Sequence, residues 1–477
     1  MRLVPGAGDI VPFCRCAHWP ESERVEHLTN LDAGFLEAED SDCHVSLAVG
    51  GLSILEGPMP DVDALVDGIA DRIADIPRFR QVLHTHLLDL GPPEWADDPN
   101  FELSHHIRRA ALPSPGDEDA LDQFVGDVMG RRLDRDRPLW ECWIIEGLAE
   151  GKWAMLIKIH HCIADGIATM HLFSRLVDSQ QTPGYDTEIR AARQSKENQS
   201  PLAQWGLNPV RWVRGMGRAA ISATRISALA VGGAVEVTSG IIRPAQTSSL
   251  NGPVSSMRRF SFGVVPMSDV ARICDSYGVT VNDVALAAIT SSYRAALERR
   301  GETPKRTSLR TLVPVSIRSN DASARTDNRV SLMLPALPAD TADPVEQLHT
   351  VHRRLSRAKG SGQREAGGVF VALSNVMPFP LTAWAVRAFT RLPQRGIVTL
   401  ATNVPGPRER MTILGRSIIR VVPIPPIAMR LRTGVAILTY ADELVFGILG
   451  DYDAAADVDQ LAAGIESAVQ TLAAAVG

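Results

Sequence analysis

His160-His161-Cys162-Ile163-Ala164-Asp165-Gly166 follows the apolar run Trp153-Ala154-Met155-Leu156-Ile157-Lys158-Ile159, and the reading of this junction decides the fold. The run has the composition of a buried strand, and Asp165-Gly166 marks a turn. Ile167 to Val177 then places Ile167, Met170, Phe173 and Val177 at helical spacing. Strand side chains alternate between faces, so Met155, Ile157, Ile159 and His161 share one face, and Leu156, Lys158 and His160 the other. A strand ending at His161 delivers that imidazole to the carboxyl edge of a sheet, where ligands of α/β folds gather.

His161 is therefore the candidate general base. An imidazole, with an unperturbed pKa of about 6.5, suits proton transfer at neutral pH, and such a base contributes on the order of 100- to 10,000-fold in rate. A hydroxyl is a poor nucleophile until its proton is being removed, so acyl transfer onto a hydroxyl needs this help. Two readings of Asp165 stand: a helix N-cap ahead of Gly166-Ile167, or a carboxylate paired with an arginine that fixes the turn. Gly166 permits close approach of backbone or substrate. Adjacent strand histidines point to opposite faces, so no shared metal ion is expected. Cys14-Arg15-Cys16 near His18 and His27 has poor zinc spacing, and residues 1–27 read as an extension.

At 477 residues the chain exceeds one ordinary core, so two domains are expected. Six scattered cysteines make no disulfide framework and favour a reducing compartment. A net charge of −6 gives no case for nucleic acid. The longest uncharged run, residues 366–386, is broken by Asn375, Pro378 and Pro380, against a continuous membrane span.

Around the histidines, residues 45–55 read as a strand, 62–76 and 120–133 as helices, and 143–146 as a strand, giving an α/β lobe over 28–178. Residues 179–252 read as a linker. Within it, 198–235 carry four arginines and no acid, as a packed basic helix or a membrane-facing one would. A second lobe spans 253–477, with strands at 259–265, 309–317 and 396–404 and a hairpin at 435–448. Its helices are 281–297, opened by Thr280-Val281-Asn282-Asp283 in capping-box spacing, and 458–476.

His160 to Gly166 matches the HHxxxDG signature of CoA-dependent acyltransferases and condensation domains. More specifically, the chain resembles the bacterial wax ester synthase/diacylglycerol acyltransferase family. The supporting stretches, in order, are Leu28-Thr29-Asn30-Leu31-Asp32, Pro77-Arg78-Phe79-Arg80-Gln81, Arg137-Pro138-Leu139-Trp140-Glu141, Leu250-Asn251-Gly252-Pro253, Val281-Asn282-Asp283-Val284, Val313-Pro314-Val315-Ser316-Ile317-Arg318 and Asn403-Val404-Pro405-Gly406-Pro407.

The resemblance implies a two-lobed chloramphenicol-acetyltransferase-like α/β fold with the active site in a channel between lobes. It implies acyl-CoA as co-substrate, no bound cofactor or metal, and diacylglycerol or a long-chain alcohol as acceptor. The enzyme would be cytoplasmic, with peripheral contact to membrane or lipid droplets. His161 would take the acceptor's proton, and Asp165 would orient the motif through Arg80. Pro138 and Trp140 would pack a loop or touch substrate, and Asn282 and Asp283 would open a helix or line the acyl channel. Asn403 could donate to the oxyanion. Arg299, Arg300, Lys305 and Arg306 would hold CoA phosphates or form a solvated loop. Two rivals remain: acylation of a non-glyceride hydroxyl, and a non-catalytic lipid-binding protein that keeps the fold.

Overall fold

The computed structural model describes residues 26–74, 76–85, 91–163, 173, 176–178, 248–316, 330–360, 379, 387, 397–428 and 430–476. In its first half come β1 (Glu26–His27), α1 (Asn30–Asp40), β2 (Ala48–Leu55), α2 (Val62–Ala74), β3 (Gln81–His84), β4 (Glu94–Asp97), β5 (Ile107–Ala111), α3 (Glu118–Gly130), β6 (Trp140–Glu146) and β7 (Trp153–His160). The second half holds β8 (Arg258–Pro266), α4 (Met267–Tyr277), α5 (Val281–Arg299), β9 (Leu309–Ser316), β10 (Val330–Met333), β11 (Ala336–Leu337) and α6 (Pro344–Gly360). It ends with β12 (Thr399–Val404), β13 (Thr412–Ile413), β14 (Arg416–Ile424), β15 (Thr433–Tyr440), β16 (Glu443–Asp451) and α7 (Val458–Ala475).

Every residue of β7 is buried, which explains its near-continuous apolar sequence. It lies inside a six-stranded sheet of order β13-β14-β2-β7-β6-β5. β2 and β7 run antiparallel with Ala48 opposite His160, so the histidines leave the sheet beside the entry to β2. A seven-stranded sheet forms the other lobe, in the order β10-β9-β12-β15-β16-β8 with β11 also on β9. Helices α4 to α7 share a core with this second sheet. A third sheet, β1-β4-β3, stands apart from both.

The lobes meet through side chains from both sheets. Leu52, Leu121, Val125, Val422 and Ile424 pack in one cluster with Phe260, Phe262, Val445 and Leu449. Fully burying each such side chain is worth about 1.5–3 kcal/mol, so this seam is a true core. Its closest approaches need glycine. A Cβ at Gly447 of β16 would lie 1.7 Å from the Pro423 carbonyl oxygen of β14, and one at Gly126 of α3 would lie 2.7 Å from that of Arg258.

Several expectations are corrected. The division at residue 252 does not separate the sheets, because β13 and β14 come from the C-terminal half yet join the N-terminal sheet, where β14 pairs with β2. The extension expected over 1–27 ends earlier: Glu26 and His27 pair with Trp95 and Glu94. β6 starts at Trp140 rather than Trp143. Helices α4 and α6 were not expected at all. Most of the linker, including its basic segment 198–235, and most of the apolar run 366–386 lie outside the described residues. No helix among the described residues is long and apolar enough to cross a membrane.

Candidate active site

β7 ends at His160, and a tight turn begins there, with the Ile163 N–H donating to the His160 carbonyl at 2.9 Å. The two histidines then differ sharply. His160 is buried, 1% exposed, while His161 is half-buried and stacks on Phe35, ring centroids 4.1 Å apart and 25° between planes. The His161 N–H donates to the Leu47 carbonyl at 3.0 Å. The Cys162 N–H donates to His160 Nδ1 at 3.2 Å, which leaves the proton of the neutral ring on Nε2. Nε2 faces Glu39 Oε2 at 3.5 Å. Asp165 and Gly166 lie outside the described residues.

Helix α1 supplies the far wall. Thr29 caps it, accepting from the Asp32 N–H at 3.1 Å. Phe35 and Glu39 are four residues apart and so share a helix face. Glu39 Oε1 accepts from the Leu47 N–H at 3.0 Å, and Oε2 accepts from Arg135 at 2.6 Å. Burial raises the Glu39 carboxyl, but His160, the Leu47 N–H and Arg135 outweigh it and hold the group down at about 2. Glu37, on the same helix, accepts a two-pronged contact from Arg387 at 2.5 and 3.1 Å. None of Phe35, Glu37, Glu39 or Arg135 was singled out from sequence. The Phe35–Glu39 spacing was the available signal.

The other expected site residues scatter. Trp140 is 1% exposed, stacked between Phe79 and His106, and its indole N–H donates to the Phe79 carbonyl. It packs a core, the first of the two roles expected of it, and does not line a channel. Pro138 is buried beside it at a small cleft of about 160 Å³ lined by His105, His106, Arg108 and Arg137, apart from His161. Of the two roles expected for Asp283, the helix-opening one is seen. It completes the capping box with Thr280 and accepts from His352 Nδ1 at 2.8 Å, so its carboxylate is taken up in structure. Asn282 and Asn403, far apart in sequence, come together, with Asn403 Nδ2 3.4 Å from Asn282 Oδ1. Arg80 is exposed, its guanidinium 5.8 Å from the Phe101 ring centre. Half-buried Arg78 lies over Trp95 at 4.2 Å and pairs with Glu26 at 2.7 Å. Of the basic group expected either to hold CoA phosphates or to form a solvated loop, Arg299 and Arg300 both pair with Asp457.

Asp42, Cys43 and His44, on the exposed loop after α1, are the one group of three potential metal ligands among the described residues. Their polar atoms already serve the loop: Asp42 Oδ1 accepts from the His44 N–H at 3.0 Å and lies 3.1 Å from His44 Nδ1.

A half-buried histidine, its Nδ1 sealed from solvent, anchored at a sheet edge and backed by a ring, is equipped to move a proton at a reacting hydroxyl through Nε2. The family profile "Wax ester synthase/diacylglycerol acyltransferase catalytic domain" matches residues 28–285, and "WS/DGAT C-terminal domain" matches residues 326–473. The chain belongs to the wax ester synthase/diacylglycerol acyltransferase family. It is thus an acyltransferase. Within the family it is 52% identical over 453 residues to "Probable diacyglycerol O-acyltransferase tgs1" of Mycobacterium tuberculosis, covering 94% of this chain and 96% of that one.

Among solved structures it is similar to the wax ester synthase/diacylglycerol acyltransferase of Marinobacter aquaeolei. The TM-score is 0.66 at 23% identity, over 95% of this chain and 100% of that one. The first condensation domain of the calcium-dependent antibiotic synthetase shares the fold, with a TM-score of 0.57 at 15% identity over 96% and 97% of the two chains. The two-lobed acyltransferase fold expected from the histidine motif is therefore the fold of this family member.

Proposed function

We propose that this acyltransferase moves a long-chain acyl group from coenzyme A to the free hydroxyl of diacylglycerol, with a fatty alcohol as second acceptor. The observation that carries the reading is the contrast between the histidines: His160 is sealed and bonded, whereas His161 keeps exposed surface at the strand end. The extent of likeness to the M. tuberculosis relative supports the acceptor.

In the proposed reaction a His161 ring nitrogen takes the proton of the acceptor hydroxyl. The hydroxyl oxygen forms a bond to the thioester carbonyl carbon. The carbon–sulfur bond then breaks, and the imidazolium returns its proton to the departing sulfur, releasing ester and CoA thiol. No cofactor enters this balance. Asn403 is assigned to the oxyanion, with Asn282 orienting its amide. Asp165 is assigned to the turn, with Arg80 as its partner. A diacylglycerol acceptor resides in a bilayer or droplet, so we also infer peripheral contact with such a surface.

The test is mass spectrometry of products formed by the purified protein from mixed acyl-CoAs, diacylglycerol, fatty alcohol and non-lipid alcohols. Triacylglycerol as the main product is expected. Ester formed only on a non-glyceride alcohol would overturn the acceptor assignment, and acyl-CoA binding without any ester would favour a binding protein.

A further inference from the structure

We propose that Glu39 is a positioning residue for acyl transfer, fixing the backbone on both sides of His161 through two separate links, one hydrogen-bonded throughout and one that passes through a 3.5 Å charge contact with His160. The proposal rests on the reading of His161 as the base.

One link runs from Glu39 Oε1 to the Leu47 N–H at 3.0 Å, and from the carbonyl of the same residue to the His161 N–H at 3.0 Å. The other runs from Glu39 Oε2 to His160 Nε2 at 3.5 Å, and from His160 Nδ1 to the Cys162 N–H at 3.2 Å. The peptide groups entering and leaving His161 are thus both referred to one carboxylate. Arg135, at 2.6 Å, holds that carboxylate from the loop after α3, and the Glu39 main-chain carbonyl accepts from Arg132. The Glu39 side chain is 2% exposed and that of His160 1%. Such a buried ionic group is weak evidence for stability by itself, because apolar residues of similar volume often serve as well. What apolar residues cannot do is select a tautomer. With a carboxylate facing Nε2, the ring keeps its proton there and its Nδ1 free to accept from Cys162. Phe35, one helical turn before Glu39 on α1, stacks on the His161 ring, so the helix that holds the backbone also backs the imidazole.

Glu39→Gln separates the two links. Its amide oxygen can still accept from Leu47, but its NH2 would face Arg135 and the His160 Nε2–H, three donors with no acceptor. The ring must then turn or change tautomer, and the Cys162 link is lost. A misplacement of about 1 Å costs on the order of 100-fold in rate.

The experiment measures kcat, KM and Tm for the full chain with palmitoyl-CoA and diacylglycerol in mixed micelles. The variants are Glu39→Gln, His161→Ala and the double variant. For Glu39→Gln, kcat should fall about 10- to 100-fold with KM within two-fold. In the His161→Ala background, the same change should leave the residual rate within two-fold, because there is no base left to place. Should Glu39→Gln fail to fold, His160→Asn is used instead. It keeps an acceptor near Cys162 but is too short to reach Glu39, and the same kcat loss is expected. Wild-type kcat in a folded Glu39→Gln, a change confined to KM, or an equal loss in both backgrounds would overturn the proposal while leaving the base intact. Full turnover by His161→Ala would instead remove the base assignment, and this proposal with it.

Discussion

Phe35 and His161 lie nearly face to face, 4.1 Å between ring centres. An aromatic face attracts a cation by about 0.5–2 kcal/mol, more as water is excluded. The stack therefore favours the imidazolium that forms as the base takes its proton, and it limits ring rotation. Phe35→Ala is expected to lower kcat about 3- to 30-fold, by the same range of energy, with Phe35→Tyr close to wild type. Steady-state kinetics on the two variants checks this, and unchanged kcat in Phe35→Ala would show that the stack is packing alone.

The seam between the sheets yields a second prediction. A methyl group at Gly447 would meet the Pro423 carbonyl oxygen at 1.7 Å, and both strands are held by paired neighbours. Backbone cannot give way as a flexible side chain does. Gly447→Ala should destabilise the fold by about 1–3 kcal/mol or more, seen as a lower Tm and poor soluble yield. A wild-type Tm would mean the sheets slide freely at this point.

Asp122, on α3 at the same seam, gives a pH prediction. Burial first, then the carboxylates of Glu118, Asp459 and Asp119, push its carboxyl from 3.8 up to about 8. Its Oδ1 is buried without a hydrogen-bond partner among the described residues. The folded state thus holds a proton that the unfolded chain releases above about pH 4. Stability from this group is complete in acid and declines as pH rises from about 4 toward 8. Asp122→Asn should raise Tm at pH 8 and leave it unchanged at pH 4. Equal Tm differences at both pH values would contradict the assignment.

Glu39 behaves in the opposite sense. Its folded carboxyl, at about 2, lies below the ordinary value of 4.5. Its contribution is present above about pH 4.5 and is lost as pH falls toward 2. Acid unfolding followed by circular dichroism should be less steep in that window for Glu39→Gln than for wild type. Superimposable acid-unfolding slopes would indicate that Glu39 is not held ionised.

Much of this architecture is legible in the chain. The β7 run, the capping box at Thr280–Asp283 and the hairpin between β15 and β16 are local patterns, and each forms where its residues predict. What escaped is long-range. Residues 416–424 are rich in β-branched side chains, yet nothing in them says that the partner strand lies at residues 50–55. Glu39 escaped for a related reason. Acids at a helix end are ordinary, and only the folded chain brings Arg135, Leu47 and His160 around this one. Trp140 and Asp283 show the converse: family motifs marked them, and the fold uses them for stacking and capping.

Acyl transfer by this chain centres on the imidazole at residue 161. The direct measurement is single-turnover acyl transfer by purified His161→Ala beside wild type, with folding verified by Tm and acyl-CoA binding by titration. Loss of at least about 100-fold in rate with binding retained is the predicted result. Ester formation at the wild-type rate by the folded variant would contradict it.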